Sequence, residues 1–422
     1  MTATGAEALR ARREGLGREF GKLWTASTAS AIGDGMTLTA APLIASGLTD
    51  DPRLISGVTV ALTVPYVLFG LPAGVLVDRL DLRRAMLRVD FFRAAVVAVL
   101  TAAVVLGRGT LPALYAGLFL VGTCETFFRN AAQILVPSVV RHSELVEANG
   151  RLMASQTAAN EFVGPLLGSL LFGLAAAVPL GIDAATFLSS AVLLTRLRPA
   201  PAAESAPGPG TARDARPGLF ADMATGARWL WRHRLLRNLS LVAAVINLVS
   251  TGSLAVLVVH AHRVLGLGGF GYGLLLACQA AGAVLAARAA PELARRAGRE
   301  WALVATALML VTGNLMIWLV PSPWAVGVAL ALDACAGVTW NVVVVVLRQT
   351  VIPTHLQGRV NSVYRLVAWG AMPIGAALAG IVAKAAGTPV VYGIGAGVML
   401  AVGIRLLLGV RSHWISQAEV AQ

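Results

Sequence analysis

The stretch Gly74-Val75-Leu76-Val77-Asp78-Arg79-Leu80-Asp81-Leu82-Arg83-Arg84 sets five charged side chains between two long apolar runs. Upstream, residues 54–77 hold only apolar, small and hydroxyl side chains with two prolines. Downstream, residues 85–107 are apolar again except for Arg88, Asp90 and Arg93. A bilayer core takes ~20 apolar residues per helix, so each run is of membrane length. A short, charged, glycine-led connection between two such runs belongs at a membrane surface.

The rest of the chain agrees. Of its 422 residues, 57% are hydrophobic and 13% charged, and the mean hydropathy is +0.74. Soluble domains carry about 25% charged residues, so this composition excludes a water-soluble globule. The net charge of +13 fits the positive-inside bias of a membrane protein better than nucleic-acid binding, and that reading requires basic residues in alternate loops. Cys124, Cys278 and Cys335 lie far apart inside apolar runs, without metal-ligand or CxxC spacing. They read as packing residues.

Twelve spans are expected, near 23–47, 54–77, 84–107, 111–134, 147–177 and 179–197, then 236–259, 270–289, 301–320, 324–347, 362–385 and 388–409. The even-numbered connections and tails hold most of the arginines, including Arg79, Arg83, Arg84, Arg88, Arg129, Arg141 and Arg151, and eight more between Arg196 and Arg237. The odd-numbered connections hold only Arg53, Arg108, Arg263 and Lys384. This asymmetry places both tails, 1–22 and 410–422, in the cytoplasm. Between the bundles 23–197 and 236–409, residues 198–235 begin as a proline-, glycine- and alanine-rich linker with no capacity for a packed core. They end in a segment from Leu219 to Arg237, where Trp229 and Trp231 sit among arginines as in an interfacial amphipathic helix. The fold class is therefore an all-α membrane protein.

The two bundles resemble one another. Gln133-x-x-x-Pro137 follows the fourth span and Gln349-x-x-x-Pro353 the tenth, a repeat that points to a transporter with its site between the halves. With Gly74-x-x-x-Asp78-Arg79-x-Asp81-x-Arg83-Arg84 after span two, this arrangement resembles the major facilitator superfamily. Ser30-Ala31-Ile32-Gly33-Asp34-Gly35, Phe127-Phe128-Arg129-Asn130-Ala131-Ala132-Gln133, Leu347-Arg348-Gln349 and Gly358-Arg359-Val360-Asn361 are similar to its macrolide-efflux and enterobactin-exporter-like branch. The resemblance implies the major facilitator fold, twelve transmembrane helices in two six-helix pseudo-repeats. It also implies alternating access, an exporter driven by proton exchange, and a latch at Asp78 that holds the halves together on the cytoplasmic side. Two departures stand out. No basic residue occurs from Leu111 to Thr126, where many drug/proton antiporters of the superfamily carry an arginine. Gly164-Pro165-x-x-Gly168 is a shortened form of the antiporter helix-break motif.

A charge inside a span costs ~3 kcal/mol or more, so acids there are candidates for function. Asp34, half-way along span one, is read as a proton-titrating or cation-recognising carboxylate. Glu161 in span five and Asp333 in span ten are further candidates for the proton and substrate cavity. Glu125, four residues before Arg129, is a weaker one, because a local ion pair accounts for it. Asp90 and Arg93 are expected to form a helix-packing pair, Asp183 to sit near the outer surface, and His260 and His262 to be solvated. Trp340 and Trp369 are candidate cavity walls.

The expected activity is export of a small hydrophobic molecule, a drug or natural product, in exchange for protons. The alternatives are export of a polar metabolite such as a siderophore, import on the same fold, or a receptor or scaffold that transports nothing. No phosphate-binding loop, His-Glu-x-x-His or Ser/His/Asp set is present, so no enzyme, metal or cofactor is expected. The expected partners are a small-molecule substrate, protons and the lipid bilayer, with no nucleic acid and the chain acting as a monomer.

Overall fold

A computed structural model of the chain describes residues 16–77, 81–198, 219–353 and 356–411. These residues form fourteen α-helices and no strand. The first, α1 (Gly17–Leu48), stops where Thr49 becomes extended, at φ −155° and ψ 152°. Next, α2 (Pro52–Val77) starts on a proline, whose fixed φ and missing N–H suit a helix's first turn. There follow α3 (Leu82–Val105), α4 (Leu111–Leu135) and α5 (Leu145–Ala158), the last running through a π-helical turn at Ala159–Val163 into α6 (Gly164–Phe172). After α7 (Val178–Thr195) come α8 (Leu219–Arg232), α9 (Arg234–Arg263), α10 (Gly269–Ala297), α11 (Arg299–Leu319), α12 (Pro323–Val351), α13 (Gln357–Ala386) and α14 (Thr388–Arg411).

Nine helices among the described residues, α2, α4, α7 and α9 to α14, are long and apolar enough to cross a membrane. The other three expected spans correspond to α1, α3 and the α5–α6 pair. Charges between Arg83 and Arg93 lower the hydropathy of α3, and the π turn divides the fifth span into pieces of 14 and 9 residues. Side chains such as Val99, Leu285 and Leu408 are exposed around the bundle, forming a belt suited to lipid. The amphipathic segment is present as α8, and His233, with an extended ψ of 101°, separates it from α9. Leu230 of α8 is buried while Trp231 is exposed.

The helix ends define an arginine-rich end, where α1 begins and α2 ends, and a far end beyond Leu48. Buried apolar residues fall into three clusters along this axis. At the far end, one cluster joins Ile44, Val58 and Leu118 to Val256, Leu275 and Tyr392, so helices from both ends of the sequence share it. At the arginine-rich end there are two clusters. One contains Phe20, Leu23, Met86, Phe128 and Leu194, the other Leu236, Leu303, Leu347 and Tyr364. The early and late helices are thus fused at the far end and parted at the arginine-rich end. Seams between them run where α2 packs on α13 and α6 on α10.

Charges reinforce the far-end seam. Arg263 donates to the Asp50 carbonyl at 2.5 Å and lies 3.0 Å from its carboxylate. Lys384 is 3.5 Å and Arg53 2.7 Å from Asp51 Oδ2. Three of the four basic residues on the far-end connections therefore converge on one acidic turn. Hydrogen bonds from Arg53 hold the Asp51 carboxyl well below the usual carboxylate range. Exposed pairs of this kind are screened by solvent and contribute little stability, so these pairs align the seam more than they bind it.

The opening signature has local work of its own. Asp81 is the N-cap of α3 and accepts from the Arg84 amide at 3.1 Å. Arg83 donates to the Leu194 carbonyl at 2.9 Å and to the Thr195 carbonyl, adding a side-chain clamp to the last turn of α7. Lys22 bonds the Arg196 carbonyl at 2.7 Å, and Glu19 accepts from the Arg198 amide at 2.7 Å; that amide bond holds the Glu19 carboxyl below its ordinary range. Asp78 and Arg79 lie outside the described residues. Asp81→Ala is expected to destabilise the fold by about 1 kcal/mol, read as a lower melting temperature in detergent, while Asp81→Asn keeps most of the cap.

Candidate functional site

Arg93, on α3, is fully buried and gathers acids from three helices. It contacts Asp34 of α1 directly. Its Nη2 lies 2.9 Å from Glu125 Oε2 of α4, and its Nη1 lies 3.5 Å from Asp90 Oδ1 one turn back on α3. Nη1 also donates to Ser30 Oγ at 3.2 Å. The guanidinium carbon sits 3.9 Å from the Phe187 ring centroid and 5.7 Å from that of Phe128, so two aromatic faces add cation–π attraction. Arg129 then bonds the other oxygen of Glu125. The expected Asp90–Arg93 packing pair is therefore only one edge of a network. Its arginine comes from the third span and meets the fourth at Glu125, where the fourth itself carries no basic side chain above Arg129.

The glycines flanking Asp34 set how closely its neighbours approach. A Cβ at Gly33 would fall 2.1 Å from Asp183 Oδ1, and one at Gly35 would fall 2.6 Å from the Asn160 carbonyl. A Cβ at Gly164 would lie 2.5 Å from the Ile32 carbonyl. The Gly164-Pro165-Gly168 motif is thus where α6 closes on α1, in the manner of small residues at membrane-helix interfaces. Asp183 corrects its expected position near the outer surface. It is fully buried and takes a hydrogen bond from Thr37, because α7 packs this face on α1, where Gly33 admits the carboxylate. Four carboxyl groups, Asp34, Asp90, Glu125 and Asp183, thus share a buried region with two guanidinium groups. Asp34 Oδ2 and Arg93 Nε have no hydrogen-bond partner among the described residues.

Tyr66 of α2 lies within electrostatic reach of Arg129, Glu125, Asp34 and Arg93. It also meets Trp369 of α13 edge-on, with ring centroids 6.4 Å apart. Tyr66 therefore links the charge cluster to the late helices. Trp369 is exposed and Arg365 stands over it at 5.3 Å, whereas Trp340 is buried in a core and lines no open wall.

The remaining expected residues lie apart from this network. Glu161 sits in the π turn with an exposed side chain, under the influence of Arg129. Asp333 of α12 lies among the late helices and accepts from Ser250 at 2.7 Å. Gln133, Pro137, Gln349, Pro353 and Gly358 are exposed at the arginine-rich end. Arg348 ties α12 to α13, reaching Asn361 Oδ1 at 3.0 Å and the Tyr364 ring at 4.1 Å, while the Arg359 backbone lies so close to Gly226 of α8 that a Cβ there would meet its carbonyl at 2.6 Å. His260 is fully buried, contrary to expectation, with Thr388 Oγ1 at 3.0 Å and Tyr392 edge-on. The sequence reading missed Arg93 as a hub. The available signal was that an arginine inside a span needs partners and that spans one, three and four each hold an acid.

The whole arrangement is that of a major facilitator transporter. The crystal structure of the nucleoside transporter NupG superposes with a TM-score of 0.71 at 12% identity, covering 93% of this chain and 98% of that one. A bacterial homologue of the iron transporter ferroportin in its inward-facing state gives 0.68 at 17% identity, covering 92% and 98%. In sequence, residues 17–420 match the transmembrane secretion effector family. The chain belongs to that family of the major facilitator superfamily and is a multi-pass membrane transporter, not an enzyme. An uncharacterized MFS-type transporter of Mycobacterium tuberculosis is 31% identical over 297 residues, 67% of this chain and 66% of that protein, just under two thirds of its length. The multidrug efflux pump Tap of Mycolicibacterium fortuitum is 28% identical over 388 residues, 86% of this chain and 89% of that one.

Proposed function

We propose that the chain exports a small, largely hydrophobic molecule, a drug or natural product, across the cytoplasmic membrane in exchange for protons. The observation that carries this reading is the excess of carboxyl over guanidinium groups around Arg93. With every group ionised, the cluster holds two more negative than positive charges at the depth of the bilayer. Such a surplus is costly there, and binding a proton relieves it. The free Oδ2 of Asp34 is the acceptor we assign, with Glu125 as its partner through Arg93 and Glu161 on the same bundle. The likeness to a multidrug efflux pump supports export, and exposed Trp369 supports an apolar substrate.

Sidedness follows from charge. Arginines concentrate at the end where the two clusters are parted, so that end faces the cytoplasm, and both tails with it. The fold is then inward-open. In this reading the bundles 23–197 and 236–409 rock about the far-end seam, and proton binding at Asp34 changes what Arg93 must compensate.

The test is substrate uptake into everted vesicles driven by a pH gradient. Asp34→Asn combined with Glu125→Gln is expected to remove gradient-driven accumulation while the protein is still inserted at wild-type level. Unchanged accumulation in that double variant would sink the proposal.

A further inference from the structure

A second polar site lies among the late helices, separate from the Arg93 network. Ser250 and Ser253 of α9, Gln279 of α10, Asn314 of α11 and Asp333 of α12 line one cavity of about 20 Å³. That is room for a single water-sized occupant. Four helices each contribute an oxygen-bearing side chain to it, and apolar residues such as Leu310 and Ile317 complete the wall.

The charge balance differs from that at Arg93. Asp333 is the only ionisable side chain lining this cavity, and among the described residues no ion pair reaches it. Its hydrogen bonds come from neutral groups, Ser250 Oγ at 2.7 Å and the Gln279 side chain. A carboxylate at this depth without a counter-charge is costly. The neutral groups are arranged to offer oxygen. Asn314 donates its amide hydrogen to the Leu310 carbonyl at 2.9 Å, which leaves Oδ1 toward Ser253 Oγ at 3.2 Å. The Ser250 hydroxyl, having donated to Asp333, keeps its lone pairs. The Ser253 backbone is held in turn by Tyr392, whose hydroxyl donates to the Ser253 carbonyl at 3.1 Å.

All the potential ligands are oxygens, with no nitrogen or sulfur donor, which selects a hard cation over a transition metal. No group of three or more His, Cys, Asp or Glu able to hold a metal ion occurs among the described residues. A divalent ion on a single carboxylate would leave a positive charge uncompensated, and Mg²⁺ also keeps several waters that this volume excludes. A monovalent ion makes the site neutral. Asp333, Ser250, Ser253 and Gln279 are partly rather than fully buried, so an ion can exchange. We propose that this cavity is a sodium site, with Asp333 as the charged ligand and Ser250, Ser253 and Asn314 as neutral oxygen ligands.

The experiment is equilibrium binding of ²²Na⁺ to the purified full-length protein in nanodiscs, with choline as the background cation. One saturable, lithium-competed site per chain is expected. Asp333→Asn, nearly equal in volume, should abolish it. Ser250→Ala and Asn314→Ala should each weaken it by ~10-fold or more, the scale found when groups around a metal site are lost. Asp34→Asn should bind Na⁺ as the wild type does. Size-exclusion profiles and melting curves confirm folding, and if Asp333→Asn fails to fold, the Ser250→Ala/Asn314→Ala double variant decides the matter. Absence of saturable binding in the wild type, or equal binding in Asp333→Asn or the double variant, overturns the proposal. The proton-coupled export reading stands apart, because Asp34→Asn separates gradient-driven efflux from Na⁺ binding.

Discussion

Arg93→Met is expected to be the most damaging single substitution in the chain. Methionine keeps much of the side-chain volume but leaves Asp34 and Asp90 with no cation in contact and Glu125 with Arg129 alone. Removing one partner of a buried ion pair costs about 3–5 kcal/mol, and here one cation serves three acids. The cation–π contacts with Phe187 and Phe128 go as well. The variant should accumulate poorly or melt far below the wild type in a detergent thermal-shift assay followed by size exclusion. Adding Asp34→Asn, Asp90→Asn and Glu125→Gln should recover folding, because the acids stranded by the loss of Arg93 are then neutral, while gradient-driven transport stays lost. A melting curve for Arg93→Met close to that of the wild type would show that Arg93 does not hold these helices together.

A second large effect is expected at the far-end seam. A Cβ built on Gly380 of α13 would lie 3.0 Å from the Ser56 Cβ of α2, and a disulfide needs Cβ atoms about 3.5–4.5 Å apart. A shift of about half an ångström therefore suffices. Both positions are buried where early and late helices share one core. In a background with Cys124, Cys278 and Cys335 replaced, Ser56→Cys/Gly380→Cys should cross-link under oxidation and stop transport completely, with recovery on adding reductant. Rocking of the bundles must part this seam, so full transport by the quantitatively cross-linked protein would exclude the inward-open assignment of the parted end. Each single cysteine variant serves as the control for packing damage.

Much of the fold was legible because membrane burial writes itself into composition. Apolar runs of fixed length, separated by short charged turns, placed most span boundaries within a few residues, and α4 and α7 lie almost where the periods put them. The fifth span was harder, since Gly164-Pro165 announces a break but not the π turn that precedes it. The site was legible only one helix at a time. Asp34 and Glu125 stood out because charges are expensive in spans, but spacing along a single helix shows only local partners. Asp90 and Arg93 therefore looked like a closed pair, and Glu125 with Arg129 like another. Nothing in either spacing shows that α1, α3 and α4 bring them to a common point. The same limit hid the oxygen-lined cavity at Asp333, whose ligands sit on three helices and are individually ordinary. Asp183 and His260 were misplaced toward solvent because both lie near span ends, where helix packing rather than depth decides burial.

The grip of Arg83, Lys22 and Glu19 on the end of α7 has a mechanical meaning. α1, α3 and α7 are fastened together at the arginine-rich rim. Half a bilayer away, α1 and α3 are fastened again at Asp34–Arg93, and α1 and α7 at Thr37–Asp183. Rods pinned at two heights resist torsion as well as bending, so these three helices behave as one stiff plank. The fifth span is held to this plank by the Thr28–Ser155 hydrogen bond and by close backbone packing at Gly35 and Gly164 rather than by charge, and Glu161 rides on its π turn.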